Sequence, residues 1–99
     1  TMKISTQNNT HRQQQILARD LLQLAIDHWS DIDTIERVSD YFFSLSRIFE
    51  ELDSDTPVEW GEIYTLLDTQ YALLRGGSLQ TSPLRRIKES YDDIQQALQ

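Results

Sequence analysis

The chain has no cysteine among its 99 residues, and this absence removes several kinds of chemistry. Disulfide bonds, thiolate nucleophiles and thiolate metal ligands are excluded, and the composition fits a reducing compartment. No apolar run approaches the roughly 20 residues that a membrane-spanning helix needs. The first residues also lack the apolar core of a signal peptide. We therefore expect a soluble, cytoplasmic protein.

Positively charged residues are scarce in the middle of the chain. Between Asp27 and Asp68 there are twelve acidic residues, opposed only by Arg37 and Arg47, so this segment has a net charge of −10. The whole chain has a net charge of −7, so the remainder is +3. Because nucleic-acid binding relies on Lys and Arg, we expect no nucleic-acid partner. The acidic segment either steers a basic partner or only keeps the chain solvated, and the sequence leaves both interpretations open.

The first helix is predicted to follow a short tail. Residues 1–9 are polar and aperiodic, which predicts disorder, and Thr10 is suited to cap a helix that continues to about Trp29. Ile16 and Ile26 are predicted to lie on the face opposite the apolar arc. That arc consists of two adjacent stripes, one with Leu17, Leu21, Leu24 and His28, the other with Ala18, Leu22, Ala25 and Trp29.

The second helix has the most regular apolar seam in the chain. Either Asp31 or Asp33 is suited to cap its start. Phe43 projects about 100° away from the seam, among polar residues. The seam residues recur at spacings of three and four: Ile35, Val38, Phe42, Leu45, Phe49 and Leu52.

The third and fourth helices have strong start and stop signals. Thr56 and Glu59 are spaced as a capping box, and Pro57 fits the first helical position. Gly76 or Gly77 can take the left-handed conformation that ends a helix. The pair Ser82-Pro83 predicts a second start of the same kind. The fourth helix then has a narrow apolar face of Leu84, Ile87, Tyr91, Ile94 and Leu98.

These four periodic segments predict an all-α fold, an antiparallel up-down four-helix bundle with a short disordered N-terminal tail. We assign residues 1–9 to the tail and residues 10–99 to a single helical-bundle domain. Isolated helices of this length are marginal in water, so packing between the helices must stabilise them.

The sequence offers no set of residues for catalysis, for a cofactor or for a metal. His11 and His28 are several helical turns apart, and neither has the glutamate three residues ahead that a di-iron bundle requires. The segment from Asp53 to Asp55 looks like part of a calcium loop, but helix capping explains it better. We therefore expect no enzyme activity, no cofactor and no metal.

A magnesium-dependent helical phosphate-ester hydrolase is the least favoured alternative. Its carboxylates would be Glu50, Glu51, Glu59 and Glu62, which could meet near one end of the bundle. The pattern of such enzymes, with two carboxylates a turn apart on each of two facing helices, is not discernible here.

Because the sequence predicts no catalytic, cofactor or metal site, we expect the function to depend on the protein's surface. Phe43, Ile16 and Ile26 are apolar groups that a four-helix core does not obviously use, although scattered exposed apolar residues are also normal. We predict a contact patch with Phe43 as its anchor and with a polar rim of Glu36, Arg47 and Glu50.

The leading hypothesis for function is a non-enzymatic protein–protein interaction module of the adaptor, chaperone, regulator or inhibitor type. Its partner would be another protein or a second copy of the chain, with no nucleic acid and no membrane involved. An alternative from a different class is an acidic mimic of nucleic acid that inhibits a DNA- or RNA-binding protein.

One short stretch resembles a known family. Residues 29–40, with the pattern Trp-x-x-Ile-x-x-Ile-Glu, resemble the start of a helix in the small type III secretion gatekeeper proteins. The resemblance covers about an eighth of the chain, and it implies that the protein binds a partner chain in order to control export. The pattern is also ordinary for the entry of an amphipathic helix, so we infer no family membership from it.

Overall fold

The computed structural model describes residues 2–52, 58–77 and 81–99, with side chains described from residue 12 to 48 and throughout the last two ranges. Within them lie four helices and no strand: α1 (Met2–Asp27), α2 (Ile32–Leu52), α3 (Trp60–Leu74) and α4 (Leu84–Leu98). The predicted all-α fold is confirmed.

The helices form a ring in chain order. Helix α1 packs against α2 and α4, and α3 packs against the same two helices, while neither diagonal pair makes contact in the described chain. Helices α2 and α3 share the most extensive interface. This neighbour order is that of an up-down bundle, as predicted, and the molecule measures 52 × 24 × 19 Å.

The core is built around the seam of α2. The Phe42 ring is fully buried and stacks on Trp60 of α3 at a centroid distance of 6.2 Å. Phe49 and Leu52, the last two predicted seam residues, have side chains outside the described residues. The others are buried with residues of every helix: Ala18, Leu22, Ala25, Ile35, Val38, Leu45, Ile63, Leu67, Ile87, Ile94 and Leu98.

Helix α1 is longer at its N-terminus than the sequence predicts. Its backbone is helical from Met2, whereas the sequence predicts a disordered tail over residues 1–9 and a cap at Thr10. The segment contains neither glycine nor proline, so nothing in it interrupts a helix that has formed downstream. The division into a tail and a domain of residues 10–99 stays a prediction.

The start of α2 is capped by Asp31. Its Oδ1 accepts a hydrogen bond from the Asp33 backbone N–H at 3.3 Å, and its Oδ2 accepts one from the Thr34 hydroxyl at 2.8 Å. The hydrogen bond from Thr34 favours the charged form and lowers the pKa of Asp31 below its ordinary value. Of the two predicted caps, Asp31 is the one used.

Helix α3 begins later than predicted. Glu59 has an extended backbone, with φ −86° and ψ 105°, and its side chain makes no capping hydrogen bond. The helix starts at Trp60, so Glu59 is not its third residue and the predicted capping box is wrong in that respect. Thr56 and Pro57 lie outside the described residues.

Ser82 joins the start of α4 to the turn between α1 and α2. Its Oγ accepts hydrogen bonds from the Leu84 backbone N–H at 3.4 Å and from the Trp29 indole N–H at 3.1 Å. The buried Gln70 of α3 donates to the Trp29 carbonyl at 2.9 Å. Ser82 thus accepts from the first N–H of α4, but the N-cap position is Pro83 and the helix starts at Leu84, so the predicted cap at Ser82 with Pro83 as the first helical residue is wrong by one position.

Two glycines end α3. Gly76 has a φ of +104°, a conformation that strains any residue with a Cβ. Its N–H donates to the Leu73 carbonyl at 3.1 Å, and the Gly77 N–H donates to the Ala72 carbonyl at 2.9 Å. This pair of bonds is the Schellman motif. The predicted glycine stop is confirmed.

Replacing Gly76 by alanine tests this stop. The left-handed conformation costs a residue with a Cβ about 1–2 kcal/mol, so Gly76→Ala should lower the free energy of unfolding by about that amount. For a chain of this size, each kcal/mol corresponds to a fall in Tm of about 4–8 °C, measured by thermal denaturation.

Gly61→Ala is the matched control. Gly61 lies inside α3, and a Cβ built there meets nothing within 4 Å. Because alanine is the better helix former, Gly61→Ala should leave the Tm unchanged or raise it. Equal losses in both variants would contradict the assigned role of Gly76.

Candidate protein-binding surface

The described side chains do not assemble a metal centre. No group of three or more His, Asp or Glu residues in the described ranges is placed to hold an ion. Glu59 and Glu62 share a cavity of about 150 Å³ with Glu89 and Asp93, but Arg86 also lines it and forms an ion pair with Glu62. The side chains of Glu50 and Glu51, predicted as further magnesium ligands, lie outside the described residues.

Among the described residues, large exposed apolar side chains occur only on the first two helices. In the described part of the chain there are five: Leu17, Leu24, Tyr41, Phe43 and Ile48. None lies on α3 or α4. The same part contains no helix long and apolar enough to cross a membrane. The outward sides of α1 and α2 are therefore the surface to examine for function.

The exposed leucines of α1 lie on the side of that helix next to α2. Arg19 marks the opposite side, because its Nη1 donates to Oε1 of Gln95 on α4 at 3.3 Å. At 100° per residue, Leu17 and Leu24 lie about 140–160° around the helix from Arg19, beyond the buried core line. Both leucines therefore border the groove between α1 and α2.

Tyr41 and Ile48 occupy the matching side of α2. The α3 side of this helix is marked by Phe43, whose ring lies 5.3 Å from the ring of Tyr64. Tyr41 and Ile48 lie about 140–160° around the helix from Phe43, on the α1 side of the buried Phe42. Leu17, Leu24, Tyr41 and Ile48 thus line one face of the α1–α2 hairpin, which we call the hairpin face.

The predicted contact residues of α1 are not on this face. Ile16 and Ile26 are half-buried and pack against the core, so their predicted position on an uncovered back of the helix is wrong. The buried line of α1 follows Ala18, Leu22 and Ala25, with Ile26 on its α4 side and Leu17 and Leu24 on its α2 side. Ile26 is half-buried there, whereas both leucines are exposed.

The predicted contact residues of α2 lie on its α3 side. Phe43 is 46% exposed, and the Cζ of Arg47 lies 5.9 Å from its ring centroid. Glu36 accepts a hydrogen bond from the Tyr71 hydroxyl, and this bond raises the pKa of Tyr71. The side chain of Glu50 lies outside the described residues. The role of these residues in binding a partner stays a prediction.

The structure separates the predicted patch into different faces. Phe43, Glu36 and Arg47 border α3, which α1 does not contact in the described chain. Ile16 and Ile26 are on α1, whereas Phe43 is on the side of α2 that faces α3. The three side chains therefore do not form one surface. The sequence pattern does not predict the hairpin face, because it assigns Leu17 and Leu24 to a core stripe.

One sequence signal could have revealed the hairpin face. Leu17 and Leu24 are seven residues apart, and each is followed three residues later by an aspartate, Asp20 or Asp27. Residues three apart are neighbours on a helix surface, so each leucine has a charged neighbour. A leucine beside a repeated charge is more typical of a helix edge than of its buried centre.

Polar groups surround Tyr41. The tyrosine is 59% exposed and lines an open surface cavity of about 480 Å³ with Arg37, Asp40 and Ser44. An amphipathic ring beside charged groups is typical of the contact residues of protein interfaces.

Comparison of the chain with protein-family models, with curated proteins and with solved structures gives no match. The resemblance of residues 29–40 to secretion gatekeepers therefore receives no support from these comparisons. The exposed surface of the described residues is therefore the feature from which a function is proposed.

Adjacent aromatic residues of α2 test the assigned exposure. Phe42→Ala should lower the free energy of unfolding by about 3–5 kcal/mol, because it empties a buried site. Tyr41→Ala should change it by less than about 0.5 kcal/mol, because the ring stands in solvent. Chemical denaturation measures both values. A loss at Tyr41 comparable with that at Phe42 would show that Tyr41 belongs to the core.

Proposed function

We propose that this chain is a non-enzymatic protein-interaction module, of the adaptor, chaperone, regulator or inhibitor type, and that the hairpin face is its contact surface. Among the described residues there are five large exposed apolar side chains, and the observation that carries the proposal is that the helical positions of four of them place them on one face. Exposed apolar residues gathered together and rimmed by polar groups mark protein-binding surfaces, whereas scattered ones do not.

The chemistry of the face suits a protein partner. Tyr41 offers a large ring with few rotatable bonds, which makes tyrosine frequent among the residues that dominate binding energy. The leucines and Ile48 supply apolar area on either side of the groove. The acidic region of residues 27–68 accelerates the approach of a basic partner. We place this function in the cytoplasm, without a membrane or a nucleic acid as the partner.

The same acidic region supports a second candidate, an acidic mimic that occupies a DNA- or RNA-binding protein. The net charge of −10 over residues 27–68 is the observation that supports this second candidate. The two candidates differ in their dependence on salt. A complex of a mimic should weaken steeply as the ionic strength rises above about 0.1 M, whereas docking of an apolar face should weaken far less.

Capture of partners with matched surface variants tests the proposal. The purified chain is used as bait in an extract of its native organism, bound proteins are identified by mass spectrometry, and each interaction is reconstituted from purified components. The test variant is Leu17→Gln with Leu24→Gln, which keeps helix-forming residues and removes apolar area. The control is Phe43→Gln, because Phe43 and Leu17 are both 46% exposed but lie on different faces.

The double leucine variant should weaken the reconstituted complex at least about tenfold, and the Phe43 variant should leave it nearly unchanged. The reverse result would move the contact surface to the α2–α3 side. A complex that neither variant weakens would contradict the proposal.

A further inference from the structure

The hairpin face repeats one arrangement of apolar and acidic groups along α1. Leu17 precedes Asp20 and Leu24 precedes Asp27 by the same interval, and all four side chains are exposed. The two Leu–Asp pairs are two helical turns apart, or about 10 Å. A partner helix with the same period meets both pairs at once.

The charged residues around the hairpin face are mostly acidic. From Asp20 to Asp40 the chain has six carboxylates, all exposed, and a single cation, Arg37. On α1 the nearest cation, Arg19, donates to Gln95 on α4 and also pairs with Asp20, whose Oδ1 lies 3.2 Å from both its Nε and its Nη2. On α2, Asp40 and Arg37 both border the cavity beside Tyr41. The side chains that line the groove are thus apolar, and the charged side chains beside it are mostly acidic.

We propose that the hairpin face binds a cationic amphipathic helix, an inference that rests on the function proposed above. The apolar stripe of that helix lies along the groove between α1 and α2, against Leu17, Leu24 and Tyr41. Its Lys or Arg residues reach Asp20, Asp27 and Asp40. Docking of an apolar helix stripe into a groove is an established mode of peptide recognition, and charge complementarity selects the partner.

The charge pattern disfavours a second copy of the chain in this groove. In a two-fold symmetric dimer the same patch faces itself. Asp20, Asp27 and Asp40 of one copy would then lie against the same net acidic rim of the other. Like charges placed together at an interface oppose association, whereas a cationic helix relieves their repulsion.

Designed peptides test the inference directly. The probe is an end-capped peptide of about 18 residues, or about 27 Å of helix, with leucines at positions i, i+3, i+4 and i+7 and lysines elsewhere. One control peptide keeps the leucines and replaces every lysine by glutamate. A second has the composition of the probe in an order without the stripe. Fluorescence anisotropy measures affinity, and NMR chemical shifts of the full chain locate the site.

The lysine peptide should bind with shifts centred on Leu17, Leu24 and Tyr41, and at least about tenfold more tightly than either control peptide. Leu17→Gln with Leu24→Gln should weaken binding at least about tenfold. Asp20→Asn with Asp27→Asn should weaken it and reduce its salt dependence. Asp92→Asn with Asp93→Asn removes the same charge from α4 and should have a much smaller effect.

Equal binding of the lysine and glutamate peptides would overturn the inference, as would shifts centred elsewhere or equal effects of the two aspartate pairs. A dimer of the free chain that covers Leu17 and Leu24, seen by sedimentation and NMR, would also overturn it. If a partner captured through Leu17 and Leu24 uses an acidic or non-helical segment, this inference fails while the proposed function stands. If no partner depends on these leucines, both fail.

Discussion

Burial of the α2 seam is the interaction on which the rest of the structure depends. Ile35, Val38 and Phe42 are almost completely removed from solvent, and each such side chain contributes about 1.5–3 kcal/mol when buried. Helix α2 has to be covered by α1 on one side and by α3 on the other, with Phe42 stacked on Trp60. Covering this seam fixes the orientation of α2 about its own axis. That orientation determines which of its other apolar residues are exposed to solvent.

Much of the fold could be predicted from sequence because its signals are local. The spacing of the α2 seam and the glycines that end α3 each depend on neighbouring residues, and the structure confirms the glycine stop and the buried part of the seam from Ile35 to Leu45. The start of α3 could not be predicted in the same way. Glu59 has the right spacing for a capping box, but its backbone is extended, and the helix starts at Trp60, which is buried in the core. Trp60 is therefore both the first residue of α3 and a core residue, and the local capping pattern does not predict this start.

The candidate surface could be predicted only in part. Phe43 was correctly expected on the polar side of α2, where it is half-exposed beside Tyr64. The apolar arc of α1, however, is wider than one interface, and its sequence alone does not fix which edge the neighbours cover. That choice is made by the helices that pack against α1, and contacts such as Arg19 with Gln95 of α4 join residues far apart in the chain. The result is that Ile26 is half-buried against the core while Leu24 is exposed, the opposite of what the sequence predicts.

The central claim is that Leu17, Leu24 and Ile48 stand uncovered on one face of the free chain while Leu22 and Ile35 are enclosed. Methyl NMR with a soluble paramagnetic agent tests it most directly, because relaxation increases with access to solvent. We predict strong relaxation enhancement at the methyl groups of the first three residues and little at the last two. Enhancement at Leu17 and Leu24 as low as that at Leu22 would contradict the account.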